Sequence, residues 1–401
     1  MRTFLVFLTA YILSQFYRSF LAVIAPELAR DIGLTPADLA SMSAIWFGAF
    51  AIAQFPVGWA LDRFGPRRTV PLIMTAAAVG AFLFAGSTTL AGCSAAMALI
   101  GVGCSPIYMG ALYVFGRTYP PERFALLCSW LLGIGSSGNL LAATPLAYAA
   151  EQYGWRSAFL AIGAVTAVTM AITFWLVEDP PRLASPSSGK AVGFVAGLRQ
   201  ILAIRPLWLI LPMVTISYAV IAAERGLWVG PYFAEVHGLG PVDRGNAVLI
   251  FAIAMSLGAL IYGPLDLAIK ARKWLVVSGS VISAAALAAL AAWPEPPASV
   301  ATALLATLGA AGTTYGLLMA HGRAFLPDHL LGRGITVLNF LFIGGGVVVQ
   351  LVSGAAAQAM RDAGAQPGQI YSAIHLGFAV ALIAVTAIYA FSHEKTSSPP
   401  S

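Results

Sequence analysis

Charge is scarce in this chain: lysine, arginine, aspartate and glutamate together make up 9% of its 401 residues. A water-facing globular surface of that length is thereby excluded, and lipid is left as the solvent. Acids are the scarcer sign, 16 against 22 lysines and arginines, yet no basic run occurs that would serve nucleic acid. Cysteine is confined to Cys93, Cys104 and Cys128. All three lie in apolar segments and in no metal-ligand spacing, so they are expected to be small buried residues, with no metal centre and no cofactor. No His-Glu-x-x-His, paired-acid or nucleophile-base constellation lies near one depth, which argues against an enzyme.

What fills the sequence is apolar, 59% of it. A spanning helix needs about 20 mostly apolar residues, and twelve such runs follow one another at 4–28, 37–60, 70–88, 91–116, 123–149, 155–177, 206–235, 245–264, 274–293, 299–325, 333–359 and 370–391. The first could be taken for a cleaved signal peptide, but Arg18 stands in the middle of it and eleven further spans follow. One connection is out of scale. Residues 178–205 hold Glu178, Asp179, Pro180, Pro181 and a Ser-Pro-Ser-Ser-Gly run, then an amphipathic stretch from Ala191 to Arg205 suited to the membrane surface. The predicted organisation is an all-α membrane protein of twelve transmembrane helices in two pseudo-symmetric six-helix bundles: 1–177, a cytoplasmic linker 178–205, 206–392, and a tail 393–401.

Cytoplasmic loops carry the excess of lysine and arginine. With the N-terminus inside, the inner loops hold sixteen of them, including Arg63, Arg67, Arg68, Arg117, Arg272, Lys273 and Arg323, and the outer loops only Arg30, Arg156, Arg244 and Arg361. Both ends are therefore expected in the cytoplasm of a multi-pass inner-membrane protein. An internal repeat supports the duplication. Gly116-Arg117 matches Gly322-Arg323, Pro121 matches Pro327, Asp62 and Arg68 match Asp266 and Arg272, and Arg156 matches Arg361, all at offsets of 204 to 206.

The sharpest local motif is Gly58-Trp-Ala-Leu-Asp62-Arg63-Phe-Gly65-Pro-Arg67-Arg68, at the inner end of the second span. An acid at a helix end can pair with arginines, and Gly65 permits the tight turn between them, so the cluster can latch one conformation. Its echo, Gly263-Pro-Leu-Asp266 with Arg272, is degenerate. The motif resembles the loop signature of the major facilitator superfamily, and span count, orientation, linker and repeat extend the resemblance over the whole chain. The stretch from Tyr17-Arg18-Ser19 to Arg68 resembles the organic-anion (anion:cation) symporter branch, which implies that Arg18 binds a substrate carboxylate. Tyr17 stands where that branch often has an acid, and the fourth span has no carboxylate.

Ionisable residues near the membrane midplane are costly and mark function. Three qualify: Arg18 in the first span, Glu224 and Arg225 in the seventh. In the repeat, Glu224 and Arg225 both fall on Arg18, so the two halves present cations at equivalent depth. A central arginine costs roughly 2.5 to 3.5 kcal/mol on insertion scales, and its planar fork suits a carboxylate. Tyr11, Gln15 and Arg18 share one helical stripe, as do Tyr218, Arg225, Trp228 and Tyr232. Tyr108, Asn139, Tyr315, Asn339 and Gln350 are further candidates for the cavity wall, with interhelical packing as their plain alternative. Glu224 is the candidate proton carrier, with a buried ion pair to Arg18 or Arg225 as its structural alternative. These residues predict a monomeric, lipid-embedded transporter that takes up a small organic anion with a proton by alternating access. The alternative is an efflux antiporter for hydrophobic or cationic compounds. A sensing receptor would be expected to carry a soluble output domain, for which the tail after Phe391 is short.

Overall fold

The structure, a computed structural model, describes residues 2–119, 127, 130–179, 200, 201, 203–326 and 331–394. Much of the linker, including its amphipathic stretch, and the loop around Pro121 and Pro327 lie outside the described residues, as do Cys128 and the side chains of Asp62 and Asn339.

Among the described residues every regular element is helical. In chain order they are α1 Arg2–Ile32, α2 Pro36–Phe64, α3 Pro66–Gly86, α4 Leu90–Thr118, α5 Ser137–Leu141, α6 Thr144–Tyr153, α7 Trp155–Leu176, α8 Leu211–Ala223, α9 Val229–Glu235, α10 Pro241–Ile269, α11 Arg272–Ala292, α12 Ala298–Gly312, α13 Tyr315–Arg323, α14 Leu331–Asp362 and α15 Pro367–Ala390. Eleven helical segments among the described residues are long and apolar enough to cross a membrane. The fifth predicted span falls partly outside them. Its described part is broken at Ser136 and again at Ala142 and Ala143, and the tenth span breaks at Thr313 and Thr314. Neither break is visible in the hydropathy pattern.

Local chemistry sets the helix ends. Thr35 and Asp38 form a capping box at the start of α2, where Asp38 N–H donates to Thr35 Oγ1 and Thr35 N–H to Asp38 Oδ2, with Pro36 at the first position. Among the described residues six have positive φ, and they fall into pairs across the duplication: Gly33 with Gly238, Gly65 with Lys270, Gly154 with Gly364. The repeat therefore reaches the turns themselves, and Lys270 adopts a left-handed backbone where its counterpart is glycine.

Contacts divide the chain into two compact units. The first gathers Met1–Leu183 with Glu224–Ala252 and Gln350–Gly364; the second gathers Ala184–Ala223, Ile253–Val349 and Ala365–Ser401. The seventh, eighth and eleventh spans each contribute to both. In the first unit α3 and α4 pack along their length, and α1 runs against α5, α7, α9 and the turn 224–228. In the second, α11 packs against α12 and α15. Large apolar side chains such as Leu72, Ile52 and Leu260 are exposed, as a lipid-facing surface requires.

Candidate functional site

Arg18 lies half-buried on α1 with its guanidinium carbon 4.8 Å from the Phe50 ring centroid and 5.5 Å from that of Trp46. The two rings are stacked on each other, 5.3 Å apart at 16°. Among the described residues no carboxylate forms an ion pair with Arg18, and its Nε has no hydrogen-bond partner. Aromatic faces attract a cation through their quadrupole while leaving the in-plane N–H donors unused. Arg18 is thus held in place without being neutralised, and the indole N–H of Trp46 beside it is also buried without a partner.

The seventh span departs from the α-helical stripe that spacing predicts. Glu224–Trp228 forms one π turn between α8 and α9, and all five of its residues are buried, Glu224 at 0% and Arg225 at 4% exposure. A π turn inserts one residue into the helical register and recurs at functional sites. Arg225 Nε and Nη2 have no hydrogen-bond partner among the described residues.

Two glycines bring this turn against α1. A Cβ on Gly226 would stand 3.2 Å from the carbonyl oxygen of Arg18, and one on Gly230 would run into that of Ala22. The Gly226-x-x-x-Gly230 spacing, next to the charged pair, is the sequence signal for this contact. Gly230→Ala is expected to destabilise the protein by about 1 to 3 kcal/mol through overpacking, and Gly226→Ala by clearly less. Thermal midpoints in detergent check this, and the reverse order would contradict the packing.

Around this core the other predicted residues divide. Gln15 Nε2 donates to Tyr11 Oη at 3.2 Å, and Tyr11 packs on Tyr108 with centroids 5.5 Å apart, so these three form one cluster. Asn139 accepts from Ser19 Oγ at 2.7 Å, which makes it an interhelical tie to α1. Trp228 Nε1 donates to Ser353 Oγ at 3.0 Å, and Ser353 donates to the carbonyl of Gln350. Gln350 is fully buried with both amide atoms unpartnered among the described residues. Tyr232 packs edge-on to His237. Tyr218 and Tyr315 belong to the second unit, where Tyr218 stacks on Phe342 at 3.9 Å and Tyr315 packs tilted against it at 3.8 Å. Gly138 sits against the Ile12 carbonyl and Gly345 against that of Thr215, which fits glycines that permit close approach.

The motif turn is built around Gly65, with φ +78°. The Asp179 carboxylate fills the space a Cβ would need and accepts the backbone N–H of Arg67 at 2.9 Å. Gly58 lies beside Met109, and Arg63 lies over Trp59 and Phe64. The second unit repeats the device: Lys273 N–H donates to Glu394 at 2.6 Å, and Arg272 donates through Nε and Nη2 to Asp266. The echo that looked degenerate in sequence carries a formed ion pair.

All four arginines assigned to the outer loops are paired with acids. Arg30 and Arg156 meet Asp31, Arg361 meets Glu235 at 2.6 Å, and Arg244 meets Glu27. The last pair is buried, with side chains 7% and 11% exposed, and ties α10 to α1. Sequence reasoning passed over Glu27 because it lies near the end of a span. Among the described residues no group of acids, histidines and cysteines could hold a metal ion.

The sequence model of the Major Facilitator Superfamily matches residues 7–350. The uncharacterized transporter YybO of Bacillus subtilis (strain 168) is 28% identical over 173 residues, which is 42% of this chain; the chain spans 39% of that relative's length. A D-galactonate transporter of Escherichia coli O6:H1 is 23% identical over 92% of this chain and 88% of its own. A bacterial homologue of the human lysosomal transporter Spinster, solved in an inward-facing and unoccupied conformation, superposes with a TM-score of 0.76 at 17% identity over 97% of this chain and 96% of that one. Fold, repeat and family match agree, and the chain belongs to the major facilitator superfamily, a family of transporters rather than enzymes.

Proposed function

We propose that this protein is a secondary transporter of the inner membrane that takes up a small carboxylate-bearing anion together with a proton, with both termini in the cytoplasm. The observation that carries the anion reading is the state of Arg18: a guanidinium seated on Trp46 and Phe50, with no acid paired to it among the described residues. A second buried arginine, Arg225, lies on the π turn whose next residue packs on the Arg18 backbone. A carboxylate can accept from such a fork in two parallel hydrogen bonds. A cation with no paired acid among the described residues, as Arg18 is, would repel an amine. The D-galactonate transporter among the relatives supports the same substrate class.

Transport follows by alternating access, in which helices rock about a fixed site. The capped turns at Gly65 and Lys270 and the Asp266–Arg272 pair serve as latches of one state.

A thermal-shift screen of the purified protein against organic acids, amines and neutral compounds tests the reading, because a ligand of the folded state raises its stability. Particular acids should stabilise the wild type and not Arg18→Ala. Stabilisation by amines or neutral compounds that survives in Arg18→Ala would replace this reading with efflux. Glu224 is the proposed proton carrier, being a fully buried acid on the same turn as Arg225. Glu224→Gln is expected to retain substrate exchange across vesicles and to lose accumulation driven by a pH gradient. Accumulation at the wild-type level would assign the proton to another group.

A further inference from the structure

On the outer face of the first unit, α3 and α7 flank an open groove with a cavity of 460 Å³. Leu72 and Thr75 line one wall and Met170, Phe174 and Trp175 the other, with Arg68 at the end nearest the motif turn. Leu72 is 71% and Trp175 73% exposed. The only hydroxyl in the lining, that of Thr75, is turned back onto the Leu72 carbonyl, which leaves the walls apolar. The neighbouring Arg67 is occupied, its guanidinium carbon 6.0 Å from the Phe174 ring and its backbone N–H given to Asp179. Arg68 is exposed and forms no ion pair among the described residues.

We propose that this groove is a binding site for one anionic phospholipid, with an acyl chain between α3 and α7 and the phosphate on Arg68. Three features select that occupant. The walls offer no hydrogen bond to a polar ligand, so the buried part must be hydrocarbon. The single polar contact is a cation, so the head must be an anion. The lysine and arginine count assigns this end of the helices to the cytoplasmic leaflet, where anionic headgroups attract juxtamembrane basic residues. Arg68 also stands in the first turn of α3, at the positive end of the helix dipole. Trp175 stands at the end of α7, and amphipathic rings at the ends of spanning helices settle at headgroup level. The Asp179 carboxylate accepts the Arg67 N–H and, among the described residues, forms no ion pair with Arg68.

The full chain, delipidated in detergent, is titrated with phosphatidylglycerol and, separately, with phosphatidylcholine of the same acyl chains, and the thermal midpoint is read. Phosphatidylglycerol should raise the midpoint by several degrees more than phosphatidylcholine. Arg68→Gln should remove the difference, and Thr75→Trp, which fills the groove from an exposed position, should remove it while leaving the charge in place. Arg68→Lys should retain most of it. Equal stabilisation by the two lipids would overturn the proposal, as would a phosphatidylglycerol advantage that survives both Arg68→Gln and Thr75→Trp. If inorganic phosphate alone reproduces the effect, the site takes a free anion and the lipid assignment fails.

Discussion

Arg18→Ala should lower uptake of the cognate acid by on the order of a hundredfold or more, while the purified variant remains folded. The magnitude follows from what the guanidinium supplies. A hydrogen bond to a charged group is worth about 1.5 to 3 kcal/mol, and a bidentate pair removes two of them. At 1.4 kcal/mol per tenfold, even the lower figure for each bond reaches that loss. Folding should survive because, among the described residues, Arg18 satisfies no buried acid: it rests on two rings, Trp46 and Phe50, that pack on each other without it. Arg18→Lys separates charge from shape. An ammonium keeps the cation but loses the planar fork and much of the stacking, so its rate should fall between the two. Uptake of labelled acid into vesicles, with thermal midpoints of the same preparations, decides the matter. A wild-type rate in Arg18→Ala would leave the arginine as scaffold.

The second large effect concerns stability. Arg244→Leu should destabilise the protein by about 3 to 5 kcal/mol, because it strands the Glu27 carboxylate in a buried setting. Changing both partners, Glu27→Leu with Arg244→Leu, should cost far less, since a buried ion pair contributes little net energy over apolar groups of similar volume. The pair already falls short of full satisfaction: Glu27 Oε2 and Arg244 Nε are buried without a hydrogen-bond partner among the described residues. A double-mutant cycle on the unfolding midpoint measures the coupling. Additive losses would mean that the two side chains do not depend on each other. The same pair offers a functional reading of the double variant. With α1 and α10 no longer tied, transport turnover should change even where stability is restored.

Hydropathy alone located the eleven spans found among the described residues, because a bilayer demands some twenty apolar residues at each crossing whatever the helix packs against. The same local accounting made Arg18, Glu224 and Arg225 conspicuous, since the cost of a charge in hydrocarbon depends on depth rather than on neighbours. The duplication was legible too, and it reached further than residue identity: Lys270 shares the left-handed turn of Gly65, and Glu394 answers Asp179. Partnership was decided by tertiary structure. Glu27 finds Arg244 across 217 positions, Trp228 finds Ser353 across 125, and the rings beneath Arg18 come from another helix. The π turn at Glu224–Trp228 belongs to the same class, for in the sequence it reads as ordinary apolar helix around one charged pair. Composition and periodicity report what each residue costs in lipid. Whether a buried charge is neutralised, capped or left open to a ligand depends on which distant backbone and side chain the fold brings to it.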